Sequence, residues 1–385
     1  MHRLIPLFKK PKHILKVVRF IFILAYYKIS GCKTIVYNLH EDYFYDIFES
    51  IYHQLLNRPK TVIFFSYRAE NKILLQYLQN KVPASQIIPN YISPFLIFDL
   101  FICAEVTGPD FPLSIFHTPK IEIYHGTGTS NLYEKKDVLN RFDSHFAIGP
   151  KFNEFIDFAY KEKSSKPHVY NIGYPKLDAL LKPNPLTKDL KKLYKLDDKK
   201  TILYAPHWHE YGSIHKFKEA LLEKLAEFDV NLLIKPHNYL YTRYANLNWK
   251  KRLKDFANQH ENVTFVSNPN TQELYPISDL MITDTGTTAA LEYSILQKPL
   301  IINYDAQWFA DNDSVDIEKD LCDLGFCFEN LKELKALVES VLIKPDENEI
   351  LKQQTAQKNI VRKYLYQPGE ATSRAVKAIY EILEN

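Results

Sequence analysis

The chain has 385 residues, 46% hydrophobic and 14% aromatic, with 49 Lys/Arg against 46 Asp/Glu. That length supports two domains of ordinary size, and the composition argues for a packed globular chain. Residues 1–40 hold eight Lys/Arg and no acid, while the remaining 345 hold 41 basic and 46 acidic residues; a broadly basic, nucleic-acid-binding surface is therefore not expected.

The basic character sits in the first segment, HILKVVRFIFILAYYKISG (residues 13–31). Its uninterrupted apolar run, Phe20 to Tyr27, is too short for a bilayer span of about 20 residues. No small-residue cleavage site follows it, which argues against a signal peptide. Two readings fit: a basic amphipathic helix lying on an anionic membrane, or a first helix with a solvated basic face. The segment 1–33 is set apart on this ground.

Five apolar runs follow, 34–39, 61–67, 95–104, 120–126 and 145–149, with helical patterns between several of them, such as 71–81 and 151–161. VYNIGYPKLDALL (169–181) reads as strand, turn and helix start. Strands alternating with helices predict a parallel α/β sheet. The linker-like stretch from Lys182-Pro183-Asn184-Pro185 to Lys200 divides a domain over 34–185 from one over 186–385. Strands resume at 201–207, 230–237, 263–267, 280–284 and 300–305, with helices near 215–228, 249–259 and 288–297. The tail, 331–342 and 347–384, reads as mostly helical. Cys32, Cys103, Cys322 and Cys327 are scattered, which suggests reduced thiols in a cytoplasmic protein. The 322/327 pair lacks a second pair and a nearby histidine, so metal ligation is not expected there.

Two doubly wound α/β domains with a cleft between them place ligands at the carboxyl ends of strands. Four polar clusters fall there. They are His125-Gly126-Thr127-Gly128-Thr129, Pro206-His207-Trp208-His209-Glu210, Lys235-Pro236-His237 and Asp284-Thr285-Gly286-Thr287-Thr288. In the last, Thr287 and Thr288 stand where a helix begins, so hydroxyls and unpaired main-chain N–H groups suit a phosphate or diphosphate. Each cluster alone reads equally well as a loop or a cap; together they suggest one site on a rigid sheet edge. No HExxH, GxGxxG, GxxxxGK[ST] or GxSxG pattern is present, so familiar metalloprotease, dinucleotide, P-loop and α/β-hydrolase signatures are missing.

In order, HGTGT, NIGYPKLDAL, YAPHW, IKPH, SDLMITDTGTTAALEYSILQKPLI and PGEATSRAVKAI resemble the CDP-glycerol glycerophosphotransferase family over about residues 120–380. The resemblance implies a GT-B fold, two Rossmann-like domains with a central cleft and a C-terminal helix crossing back to the first domain. It implies transfer of glycerol phosphate, or a related polyol phosphate, from a CDP-alditol to a hydroxyl of a lipid-linked saccharide. Such transfer serves teichoic-acid-like or capsule polymer synthesis at the inner face of the cell membrane. No cofactor or metal is implied beyond the nucleotide-activated donor. By motif position, His125 is the general base and His237 the second essential histidine. Donor and phosphate contacts fall to Lys235, Asp284, Thr285, Gly286, Thr287, Thr288, Glu292, His207, His209 and Arg374. Arg374 is alternatively a tie for the last helix.

The motifs also depart from the family pattern. HGTGTS stands for HGTPLK, PHWH for PTWR, Lys235 for an arginine, and Asp-Thr-Gly-Thr-Thr for Asp-Tyr-Ser-Ser. The last resembles the TDSGG loop of UDP-N-acetylglucosamine 2-epimerases. A GT-B glycosyltransferase using a nucleotide sugar, an epimerase, and a non-enzymatic nucleotide- or lipid-binding module are the other readings.

Overall fold

A computed structural model describes residues 11–41, 43–104, 117–124, 126, 136–182, 187–267, 270–312 and 315–384. The chain divides into two units. The first comprises 1–125, 132–178 and 365–385, and the second 126–131 and 179–364.

The first unit holds β1 (Lys33–Leu39), β2 (Thr61–Tyr67), β3 (Ile87–Pro89), β4 (Leu100–Cys103), β5 (Lys120–Ile123), β6 (Ser144–Ala147) and β7 (His168–Asn171). Among the described residues these form one parallel sheet in the order β3-β2-β1-β4-β5-β6-β7. β1, β2 and β4 are largely apolar runs buried on both faces, as parallel strands covered by helices require. The strand expected over 95–104 is shorter because a 3₁₀ turn with Pro94 occupies Ser93–Phe95. β3, three residues long, carries too little pattern to be read from sequence.

Helix Pro11–Ile29 buries Phe20 and Leu24 against Val36, Phe64 and Phe101 of this sheet. Its other face leaves Leu15 69%, Phe22 69% and Ile29 88% exposed. Among the described residues no helix is long and apolar enough to cross a membrane.

The stretch 347–384, read as mostly helical, holds two helices. Helix Glu347–Tyr364 belongs to the second unit and helix Ala371–Glu384 to the first. The break falls at Gln367-Pro368-Gly369, where Gln367 and Gly369 both have positive φ. The start of the last helix is pinned by Asp178, whose carboxylate accepts N–H bonds from Gly369 (3.0 Å), Ala371 (3.1 Å) and Thr372 (2.7 Å). Three such bonds satisfy donors a helix start leaves open. Gly173, at φ +87°, has no room for a side chain: a Cβ would lie 2.5 Å from the Tyr366 carbonyl oxygen.

The second unit holds β8 (Thr201–Tyr204), β9 (Asn231–Ile234), β10 (Val263–Phe265), β11 (Leu280–Asp284), β12 (Leu300–Asn303) and β13 (Phe326–Phe328). Its parallel sheet runs β10-β9-β8-β11-β12-β13. Ile202, Tyr204, Leu232, Ile234, Leu280 and Ile282 build the core with Leu222, Leu225 and Leu253 from helices. The helix expected over 215–228 is split by Lys218, at φ +53°, into Ser213–Phe217 and Glu219–Ala226. Strand order reverses between β8 and β11, and such a reversal opens a ligand crevice at the carboxyl ends of the strands.

Candidate functional site at the strand-order reversal of the second sheet

β8 and β11 stay paired beyond their last ladder rung. Ala205 N–H donates to the Ile282 carbonyl (2.8 Å), and the Thr283 hydroxyl donates to the Ala205 carbonyl (2.7 Å). The chain then leaves β8 as a loop that folds over Asp284, the last residue of β11. One carboxylate oxygen of Asp284 accepts the His207 N–H (2.7 Å) and the other the Ser213 N–H (2.8 Å). Burial pushes this carboxyl upward, opposed by the Ser213 and His207 bonds and the nearby His209 imidazole. A side chain at Gly212 would be crowded here. A Cβ would sit 3.0–3.1 Å from the His209 and His207 carbonyls and the Asp284 carboxylate.

Three imidazoles gather above Asp284. The His207 ring centroid is 4.3 Å from that of His209 and 5.5 Å from that of His237. His207 Nδ1 accepts the main-chain N–H of His209 (3.3 Å), and His237 Nδ1 accepts that of Tyr239 (3.1 Å). His209 is buried and its Nε2–H donates to the Thr285 carbonyl (2.9 Å). Burial first, then the two neighbouring imidazoles, hold His207 well below the ordinary histidine range, so its ring is neutral at physiological pH. Lys235 is buried at the end of β9, and its ammonium donates to the Pro236 carbonyl (3.0 Å). Beside the imidazoles, the Arg243 guanidinium lies over the rings of Trp208 (5.7 Å) and Tyr239 (5.6 Å).

The Asp284–Thr288 loop completes this edge. The Thr285 hydroxyl donates to the Asn303 carbonyl (2.8 Å) and accepts the Asp305 N–H (3.2 Å), tying the loop to β12. Gly286, at φ +80°, lies against Trp308; a Cβ there would come within 2.2 Å of the indole. The Thr287 hydroxyl accepts the Ala289 N–H (3.2 Å) and caps helix Thr288–Ser294.

Of the expected site residues, His207, His209, Lys235, His237 and Asp284–Thr288 share this edge. Several of them also hold partners within the fold. Asp284 and Thr285 are committed to the two loops, and Glu292 is buried where it accepts the Tyr275 hydroxyl (3.0 Å). Arg374 belongs to the first unit. Its guanidinium donates to the carbonyls of Ile172 (2.7 Å) and Gln367 (2.7 Å) and so ties the last helix. His125 lies outside the described residues. Sequence reading did not single out Ser213, Trp308 or Asp178. Gly212 beside Ser213 and the aspartate of GYPKLD were the available signals. Among the described residues no group of three or more His, Cys, Asp or Glu is arranged to hold a metal ion.

The family model described as CDP-Glycerol:Poly(glycerophosphate) glycerophosphotransferase matches residues 124–381. No curated protein is significantly similar in sequence. Among solved structures, the wall teichoic acid polymerase TagF is 18% identical, with 96% of this chain and 97% of that chain covered at a TM-score of 0.66. A TagF variant soaked with CDPG for 15 minutes is 16% identical over the same shares, at 0.65. UDP-GlcNAc 2-epimerase from Neisseria meningitidis, bound to UDP-GlcNAc, is 16% identical, with 90% and 100% covered at 0.61. At these identities the likeness establishes the fold, which is GT-B.

Proposed function

The chain belongs to the CDP-glycerol:poly(glycerophosphate) glycerophosphotransferase family, and from that membership we propose how its residues carry out the transfer of glycerol phosphate. An acceptor hydroxyl attacks the β-phosphorus of CDP-glycerol, the new P–O bond forms as the bond to the CMP oxygen breaks, and CMP leaves. His125, the histidine of the HGT motif, takes the hydroxyl proton. A well-placed base is worth about 10²–10⁴ in rate. His237 and Lys235 stabilise the charge that grows on the diphosphate, and the rim of Thr287 and Thr288 orients it. Positioning and electrostatics supply most of the acceleration in such transfers.

One observation carries this reading: imidazoles of His207, His209 and His237 converge at the carboxyl edge of the second sheet, where the buried Lys235 ends β9. A neutral His207 ring offers an N–H donor and Lys235, buried at the end of β9, a positive charge, which suits an anionic donor.

The acceptor is the hydroxyl end of a lipid-linked saccharide or of a growing polyol-phosphate chain, in keeping with the polymerase activity named for TagF. The protein works on the inner face of the membrane. Helix Pro11–Ile29 supports this, since it displays Leu15, Phe22 and Ile29 outward among Lys16, Arg19 and Lys28. The test is nucleotide release from CDP-glycerol, CDP-ribitol and UDP-N-acetylglucosamine, each with a membrane-borne acceptor. CMP release from CDP-glycerol is expected. UDP release from the sugar nucleotide, with no CMP from either CDP-alditol, would overturn the reading in favour of a glycosyltransferase.

A further inference from the structure

We propose that Cys322 and Cys327 are a peroxide-sensitive dithiol, which hydrogen peroxide converts to an intramolecular disulfide. The pair lies outside the site described above, and its chemistry does not depend on the transfer reaction.

The fold brings the two thiols together. Cys322 lies in the last turn of helix Val315–Leu324, and Cys327 is the middle residue of β13. Successive strand residues face opposite ways. Phe326 and Phe328 turn to the core of Ile202, Leu232 and Leu334, so Cys327 turns to the other face of the sheet. The helix meets the strand through Gly325 alone, where a Cβ would lie 2.9 Å from both the Leu300 carbonyl oxygen and the Ile302 side chain. So tight a turn holds the helix end against the strand start. The Cys327 thiol is directed at the Cys322 carbonyl (3.9 Å). β13 is the last strand of its sheet, and Cys327 is exposed while Cys322 is half-buried. A small oxidant reaches this pair, unlike Cys103, which is buried in β4.

The two thiols also hydrogen-bond one another. The bond lowers Cys322 below the ordinary thiol range and raises Cys327 above it, as when one sulfur accepts as thiolate and the other donates its S–H. Cys322 is therefore the attacking sulfur. Its thiolate takes one peroxide oxygen as the O–O bond breaks, leaving a sulfenic acid and a hydroxide that the Cys327 proton converts to water. The Cys327 sulfur then attacks the Cys322 sulfur. The S–S bond forms, the S–O bond breaks, and the departing hydroxide is neutralised by the proton Cys322 gave up on ionising. Two thiols are oxidised to one disulfide, and the peroxide is reduced to two waters.

Both elements that carry the pair also hold Tyr304. Its N–H donates to the Phe328 carbonyl (2.9 Å), and its hydroxyl donates to Glu318 of the helix. The bridge closes across elements already braced together, so the oxidised protein keeps its fold.

Hydrogen peroxide treatment of the reduced, folded full-length protein tests this, read by thiol trapping and peptide mass spectrometry. A peptide bridged from Cys322 to Cys327 is expected, lighter by two hydrogen atoms and restored by dithiothreitol. The oxidised protein should melt no lower than the reduced one. In Cys327→Ser the sulfenic acid at Cys322 should persist and be trapped by dimedone. Iodoacetamide should label Cys327 in Cys322→Ser about tenfold more slowly than Cys322 in Cys327→Ser near neutral pH. Peroxide that leaves both thiols free, a bridge to Cys32 or between two chains, or sulfinic acid at Cys322 beside an unchanged Cys327 would overturn the pair. A melting temperature lowered by the bridge would do the same, and faster labelling of Cys327 would overturn the attacking role of Cys322.

Discussion

Each sheet carries histidine, and the two placements do opposite things. His145 sits inside β6 of the first sheet, fully buried. The Tyr160 hydroxyl donates to the Leu139 carbonyl (2.8 Å), so His145 Nε2–H donates to the Tyr160 oxygen (3.3 Å). Its Nδ1 is then a lone pair facing Glu122 Oε2 (3.3 Å), which must carry the proton. The directions agree: burial raises Glu122 well above the carboxylate range and lowers His145 to about 3. Both ring nitrogens are satisfied inside, and nothing of the ring is left for a ligand. His207 and His237 stand just past strand ends, each with Nδ1 accepting a main-chain N–H from two residues further on. Position along a strand, more than residue type, separates an imidazole enclosed in the sheet from one held at its carboxyl edge.

That contrast can be broken in several ways. The largest effect is expected at His237: replacement by alanine should lower kcat/KM for CDP-glycerol by about 10³ with an unchanged melting temperature. Rates near wild type would return His237 to the structural class. Gly286→Ala should cost about 2–4 kcal/mol, because the side chain collides with Trp308 at a positive φ; urea unfolding reads this, and a neutral result would mean the loop is free to move.

Asp284→Asn should cost about 1–3 kcal/mol. The amide NH₂ would face either the His207 or the Ser213 N–H, so one donor would lose its acceptor. Unfolding measured beside CMP release separates a lost scaffold from a lost contact: activity should fall along with stability rather than ahead of it.

The smallest effect is a slope. Folded Glu122 keeps a proton that the unfolded chain releases above about 4.5, its ordinary value. Its contribution is full below that pH and declines as pH rises toward the raised folded value. His145 acts oppositely, adding stability as pH rises from about 3 to the ordinary 6.5, and is flat beyond it. Above pH 6.5, where His145 no longer contributes, the Glu122 slope is up to about 1.4 kcal/mol per pH unit until its raised folded value is reached. Glu122→Gln should flatten it, and an identical slope in both proteins would mean Glu122 is ionised in the fold.

Much of this architecture was legible because parallel strands buried on both faces are continuous apolar runs, as at 61–67 and 280–284. Two short edge strands were not: β3 and β13 have three residues each and no usable period, although the equally short β10 was read at 263–267. The break at Gln367-Pro368-Gly369 lies within a stretch read only as mostly helical. At the site, the gathering of polar clusters on one edge could be read from strand ends. The direction of each side chain could not, because Asp284, Thr285 and Glu292 are oriented by partners distant in sequence. Asp178 is the clearest case, since its partners lie more than 190 residues away.

The account rests on the diphosphate sitting where the second sheet reverses its strand order. A crystal structure with CDP-glycerol or CMP bound tests that directly. The phosphate oxygens should lie about 3 Å from Nε2 of His207 and His237, beside Thr287 and Thr288. A nucleotide bound with its phosphates away from both imidazoles would contradict it.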